Sequence, residues 1–216
     1  MRTLIVSDIH LGSIRSNAKD LLVFLTKNYK NYDRIILNGD VFNDLEFNRL
    51  SAEQWELVSF IHERRNSNDV DLIWIRGNHD EEAMNVVTHL IGIPTIERFD
   101  FTENGESFII THGHLLSSFY KTGVAIQKFF IWMYSFIEIY DKKGKISALI
   151  DKIFKDKTKE NALSVVKNMT NTWIICGHSH LPEINFPYAN CGAWVNEIKT
   201  YIEIDSDGTV ALREYK

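Results

Sequence analysis

Five stretches of this chain end an apolar run on a residue that could hold a metal ion. They are Ile5-Val6-Ser7-Asp8-Ile9-His10, Ile35-Ile36-Leu37-Asn38-Gly39-Asp40, Ile73-Trp74-Ile75-Arg76-Gly77-Asn78-His79-Asp80, Phe108-Ile109-Ile110-Thr111-His112-Gly113-His114 and Ile174-Ile175-Cys176-Gly177-His178-Ser179-His180. His178 and His180 are two apart, and side chains two apart on an extended segment point the same way. That suits the pair to neighbouring ions. A dinuclear site needs an anionic bridge, further neutral or anionic ligands, and open positions for water and substrate. Asp40 is the natural bridge, with one carboxylate oxygen for each ion. Asp8 and His10 would hold the first ion. Asn78, through its amide oxygen, and His112 would hold the second. His178 and His180 would complete the two, one on each. This N/O donor set suits two divalent ions of Mn, Fe, Zn, Co or Ni, and the lack of thiolates argues against a structural zinc.

The elements that must position these residues follow from periodicity. Residues 2–7 predict a buried strand, followed by a polar loop from Asp8 to Asn17. Leu21, Leu22, Phe24 and Leu25 recur at helical spacing and predict a helix over 17–30. A second strand covers 34–38. Ser51-Ala52-Glu53-Gln54 has the form of a capping box and opens a helix that runs on to Arg65. A third strand covers 70–75. Asp80 could cap a short helix over 81–91, which Gly92 and Pro94 end. A strand, the turn Glu103-Asn104-Gly105 and a second strand lead to Thr111. Beyond residue 171 the chain predicts short strands with tight turns such as Asp205-Ser206-Asp207-Gly208. An α/β half followed by a β-rich half suggests two packed sheets flanked by helices, in one domain spanning 1–216.

Residues 115–171 break that pattern and predict a helical insert within the domain. Phe119, Tyr120, Phe129, Phe130, Trp132 and Phe136 belong to a dense apolar helix over 119–140. Ile146, Leu149, Ile150, Ile153 and Phe154 define a second helix, and a third covers 158–169. The insert holds ten Lys, no Arg and five acids, a charge of +5. The remainder has fourteen basic and twenty-four acidic residues, a charge of −10. The aromatic helix could be a core helix, a lid or membrane-surface helix, or a homodimer interface; its lysines could be a solvated face or a patch for anionic headgroups.

The composition, 44% hydrophobic and 25% charged over 216 residues, is that of an ordinary globular protein with a sizeable core. A net charge of −5 gives no general attraction to nucleic acid, and no nucleic-acid partner is expected. Cys176 and Cys191 lie in apolar, strand-like contexts and are expected to be reduced, buried thiols in a cytoplasmic protein. The apolar run at the start, Leu4 to Val6, is too short for a signal peptide. No apolar stretch reaches the ~18 residues that span a bilayer.

Taken together, Asp8-x-His10, Gly39-Asp40, Gly77-Asn78-His79-Asp80, Thr111-His112-Gly113-His114 and Gly177-His178-x-His180 resemble the five motifs of the calcineurin-like metallophosphoesterase family in order, spacing and context. That resemblance implies a four-layer α/β/β/α sandwich and a metal-dependent hydrolase of phosphodiesters, diphosphates or phosphomonoesters, acting through a metal-bridging hydroxide, with Mn the first expectation. It further implies Asp8, His10, Asp40 and His180 on one ion, and Asp40, Asn78, His112 and His178 on the other. His79 would contact the substrate phosphate and protonate the leaving group, with Asp80 orienting its imidazole; a histidine titrates near pH 6.5, which suits a general acid. Arg15, Asn43, Arg76 and His114 sit in or beside the motif loops and are candidates for substrate binding. His-Leu after Asp8-Ile9, Gly39-Asp40-Val41-Phe42, the insert and Asn190-Cys191-Gly192-Ala193-Trp194 resemble the UDP-2,3-diacylglucosamine pyrophosphatase branch. That implies a lipid-linked substrate and an acyl-chain lid, with peripheral membrane contact through 119–140. His79 and Asn43 depart from that branch, which usually has Arg and an acidic residue there. The family also contains nucleases and a non-catalytic retromer scaffold, the alternatives that activity and metal content discriminate.

Overall fold

The computed structural model describes residues 1–44, 46–80, 88–89, 91–116 and 157–216. The apolar runs form parallel strands whose two faces are both covered. β1 (Thr3–Val6), β2 (Arg34–Asn38) and β3 (Asp71–Ile75) lie side by side in parallel. Alternation sends Leu4, Val6, Ile35, Leu37 and Trp74 to one face and Ile5, Ile36 and Ile75 to the other. The first set packs on α1 (Ala18–Asn28) and α2 (Ala52–Ser67) through Leu21, Phe24, Leu25, Leu57, Val58 and Ile61. Burial on both faces is why these strands read as unbroken apolar runs.

The remaining strands are β4 (Thr95–Ile96), β5 (Arg98–Glu103), β6 (Glu106–Thr111), β7 (Thr172–Cys176), β8 (Glu183–Asn185), β9 (Tyr188–Asn190), β10 (Lys199–Ile204) and β11 (Val210–Tyr215). The first sheet has the order β11-β10-β1-β2-β3-β4 and the second β5-β6-β7-β9-β8. β10 meets β1 antiparallel, while β6, β7 and β9 run parallel between the antiparallel edges β5 and β8, so both sheets are mixed. Ile5, Ile36 and Ile75 meet Phe108, Ile110 and Ile175 between the sheets. On the outer face of the second sheet, Ile109, Ile174 and Cys176 pack on Ala162 and Val166 of a helix over 157–166. The result is the expected pair of mixed sheets between helices.

Local signals agree with this order. Ser51 accepts from the Gln54 N–H, and the Gln54 side chain accepts from the Ser51 N–H, which completes the capping box. The first helix ends at Asn28 and tightens into a 3-10 turn over Tyr29–Asn31, slightly beyond the predicted boundary. Cys176 faces the outer core and Cys191 the inter-sheet core, so the two thiols stay free. Most of the predicted helix over 81–91, and the predicted helices at 119–140 and 146–154, lie outside the described residues, although 88, 89 and 91 are helical. Among the described residues no helix is long and apolar enough to cross a membrane.

Candidate metal centre

Because β1, β2 and β3 share a direction, as do β6 and β7, their C-terminal ends release the five motif loops at common edges. The outer ends of parallel strands are where open α/β sheets place their sites. Hydrogen bonds between the sheets bring the loops together. The His112 Nδ1–H donates to the Asn38 carbonyl at 2.8 Å, and the His178 N–H donates to Asp8 Oδ2 at 3.1 Å. Within the first sheet, the His10 and Ile9 N–H groups donate to the Asp40 carbonyl, extending the β1–β2 register past the strand ends.

Backbone conformation marks the same residues. Asp8, His10, Asp40, His178 and His180 all have positive φ, between 49° and 66°. A non-glycine residue there costs of order 1–3 kcal/mol and persists where its surroundings over-determine it. Two motif glycines are required by close approach rather than by φ. A Cβ on Gly77 would overlap the Asp40 carboxylate, and one on Gly177 would overlap Ser7 Oγ and Asp8 Oδ2.

The donors gather into three groups whose polar atoms lie within 4.8 Å of one another: Asp8, His10 and His180; His10, Asp40 and His79; and Asp40, His112 and His178. Asp40 belongs to two of them. Its Oδ1 accepts the His79 backbone N–H at 2.9 Å, while its Oδ2 lies 3.2 Å from His112 Nε2 and 3.9 Å from His10 Nε2. A single oxygen, Oδ2, is therefore presented to both sides, rather than one oxygen to each as the sequence suggested. Asp8 divides its oxygens similarly: Oδ2 accepts from Ser7 and His178, and Oδ1 faces His180 Nε2 at 3.2 Å.

These residues fit metal ions. Asp8 Oδ1, Asn78 Oδ1 and His112 Nε2 are buried and make no hydrogen bond. Buried polar atoms are ordinarily satisfied, so orphans at one place call for an ion or water. The 3.2 Å spacing of His112 Nε2 from Asp40 Oδ2, without hydrogen-bond alignment, matches ligand atoms each ~2.0–2.2 Å from a shared ion. The tautomers agree as well. A carbonyl can only accept, so Nδ1 carries the proton in His112, against Asn38, and in His79, against Asn43 at 2.8 Å. His10 Nδ1 faces Asn43 Oδ1 at 3.2 Å, so its Nε2 turns toward His180 Nε2, 3.3 Å away. Histidine ligands are typically oriented through their second nitrogen in this way.

The electrostatics point the same way. Burial pushes the Asp40 carboxyl up, but His112 and His79 overcome it and hold it well below the carboxylate range. Asp8 is lowered likewise, its burial outweighed by His112 and His180. Burial would strip His112 of its proton, yet Asp40 and Asp8 raise it to about 9. Burial, with a neighbouring imidazole, pushes His10 and His178 down to about 3. Without metal, the His112 imidazolium faces two buried carboxylates, Asp8 and Asp40, the anionic donors a cation would take.

The other predicted residues separate. Asn78 carries a buried Oδ1 without a hydrogen-bond partner in the turn after β3. His114 is buried beside His112, with ring centroids 5.5 Å apart. Arg15 is half-buried and forms no ion pair among the described residues. Arg76 is ion-paired with Glu97. Asn43 is buried behind the histidines, where its side chain orients His10 and its carbonyl orients His79. Asp80 does not touch the His79 ring; its carboxylate is taken up by backbone N–H groups of Val41, Phe42 and Gly77.

Sequence reasoning missed Asn190. This fully buried amide donates to the Gly177 carbonyl at 2.7 Å and contacts Ser179 Oγ and Tyr188 Oη, bracing the loop that carries His178 and His180. Its signal was the same grammar as the other five, an apolar strand delivering a polar residue at its end.

No curated protein matches the sequence. Among solved structures, the phosphoesterase Yfce of E. coli matches 99% of this chain and 98% of its own, at 18% identity and a TM-score of 0.52. A conserved uncharacterized protein of Streptococcus pneumoniae TIGR4, described as a predicted phosphoesterase, shares 17% identity over 99% and 96% of the two chains, with a TM-score of 0.41. Vacuolar Protein Sorting 29 of Cryptosporidium parvum shares 12% over 99% and 97%, with a TM-score of 0.46. At these identities the E. coli match speaks for the fold. The model of the calcineurin-like phosphoesterase family matches residues 1–190 and so takes in all five motifs. With clustered donors at the strand ends and that match over most of its length, the chain belongs to the calcineurin-like phosphoesterase family and is a metal-dependent phosphoesterase.

Proposed function

We propose that the chain is a dinuclear, manganese-preferring phosphoesterase that hydrolyses a lipid- or nucleotide-linked diphosphate, with UDP-2,3-diacylglucosamine as the first candidate substrate. The observation that carries the dinuclear reading is the position of Asp40 Oδ2, which faces His112 on one side and His10 on the other. Asp8, His10, Asp40 and His180 would hold one ion, and Asp40, Asn78, His112 and His178 the second. Two divalent ions there supply Lewis acidity, lowering the pKa of water and offsetting phosphate charge.

The chain's own residues do the rest. Asp40 and Asp8 are kept ionised at neutral pH by the imidazoles around them. His79, anchored through Nδ1 on the Asn43 carbonyl, leaves Nε2 to carry a proton to the leaving oxygen. His114, buried beside His112, and Arg15, in the loop after β1, would meet phosphate oxygens. The lipid-linked substrate is supported by the resemblance of Gly39-Asp40-Val41-Phe42 and Asn190-Cys191-Gly192-Ala193-Trp194 to the diacylglucosamine branch and by the aromatic, lysine-rich composition of 115–171.

The test is UMP release from UDP-2,3-diacylglucosamine by the Mn(II)-loaded protein, beside a small chromogenic phosphodiester. Both activities should vanish on chelation, return with Mn(II), and be absent in Asp40→Ala. UMP release supports the lipid substrate. Reporter cleavage without UMP release discards that substrate and keeps the phosphoesterase chemistry.

A further inference from the structure

We infer that Asp80 is a positioning residue for the metal centre: its carboxylate clamps the loop after β2 to the loop after β3 and so sets Asp40 against Asn78. This rests on the dinuclear reading above for its effect on metal, and on the hydrogen bonds alone for the clamp itself.

The geometry is specific. Asp80 Oδ1 accepts the Val41 N–H at 3.1 Å and the Phe42 N–H at 3.0 Å, the two residues that follow Asp40. Asp80 Oδ2 accepts the Gly77 N–H at 3.0 Å, the residue before Asn78, with the Trp74 indole N–H at 3.5 Å. Asp40 returns the link, its Oδ1 accepting the His79 N–H at 2.9 Å. Two carboxylates therefore cross-tie two loops, one from each side. Asp80 is buried, so water cannot substitute for it. β2 and β3 are in parallel register up to Asn38 and Ile75, and beyond that point no strand pairing holds the loops together. Trp74 stacks on Phe42 with ring centroids 6.0 Å apart, which fixes the indole donor.

Donor arithmetic makes the residue type matter. Every hydrogen-bond partner of Asp80 is an N–H, so only an acceptor on both arms satisfies the site. Asp80→Asn is isosteric but aims an amide NH2 at N–H donors on one arm. That opens one side of the clamp, and loss of such an outer partner typically weakens metal binding about 10- to 100-fold. Asp40 would serve both ions, but the ion taking Asn78 has ligands on both clamped loops and is the more affected; Asp8, His10 and His180 hang on loops Asp80 does not touch.

The experiment compares wild type, Asp80→Asn and Asp80→Glu, which keeps two acceptor oxygens. Bound Mn(II) is counted after equilibration, with electron paramagnetic resonance to distinguish a coupled pair from an isolated ion. Amide hydrogen exchange is followed by NMR on the metal-free proteins. The wild type should hold two coupled ions, and Asp80→Asn one isolated ion with a native circular dichroism spectrum, with Asp80→Glu recovering part of the second site. Two coupled ions bound by Asp80→Asn as tightly as by the wild type would overturn the inference. A wild type that binds one ion sinks the dinuclear reading instead. The clamp is then judged by exchange: the Val41, Phe42 and Gly77 amides of metal-free wild type should exchange slowly and together. In Asp80→Asn they should exchange about tenfold faster, with the Ile36 amide unchanged. Fast exchange at those three amides in the wild type overturns the clamp even if Asp80→Asn does not fold.

Discussion

His112 sets the charge balance of the centre. Raised to about 9 by Asp40 and Asp8 against the pull of burial, it is protonated at neutral pH in the metal-free protein. Its folded-state value lies above the ordinary 6.5, so its stabilising effect is full below about 6.5 and is lost as the pH rises through about 9. A metal on Nε2 must displace that proton. His10 and His178, pushed down to about 3, have no proton to release near neutrality. Apparent Mn(II) affinity should therefore climb about tenfold per pH unit through neutrality and flatten above pH ~9. Titration calorimetry in buffers of different ionisation enthalpy reads the released proton directly. At the same scale, His79→Ala should keep its bound metal and lose about 10²- to 10⁴-fold in turnover, the usual worth of a general acid. Normal turnover in that variant would remove the assigned role.

Loops past strand ends, rather than the strands themselves, carry every candidate ligand, and they tolerate little change. The Gly177 backbone lies against Ser7 Oγ and Asp8 Oδ2, so a methyl group there must displace the carboxylate that faces the metal site. Gly177→Ala should lower stability by about 1–3 kcal/mol, the cost of overpacking, and reduce bound metal as well. Thermal melts with and without Mn(II) separate the two effects. An unchanged metal content would show that the loop can yield without moving Asp8.

At the scale of the whole molecule, two sheets meet through Ile5, Ile36, Ile75, Phe108, Ile110 and Ile175, and their packing brings loops together that are 170 residues apart in the chain. The proposed lipid substrate belongs to this scale, since it assigns the aromatic insert to substrate rather than to the core. Replacing Phe129, Trp132 and Phe136 together with Ser should cut turnover of the acylated substrate at least tenfold and leave the small reporter ester unaffected. Equal losses on both substrates would place those rings in the core.

The layered fold was legible in the sequence because its central strands are buried on both faces, and unbroken apolar runs record that directly. Ser51 and Gln54 announced the start of α2 for a local reason too, since a capping box is closed within four residues. Asp8, His10, Asp40, Asn78, His112, His178 and His180 could be named as candidate ligands because each follows a strand by one to four residues. Their grouping, the single Asp40 oxygen turned to both sides, and the true partners of Asp80, Asn43, Arg76 and Asn190 were decided only by tertiary structure. The sequence states which side chain leaves a strand end. Which oxygen or nitrogen it presents depends on backbone N–H and carbonyl groups brought up from distant loops, and those contacts leave no local pattern to read.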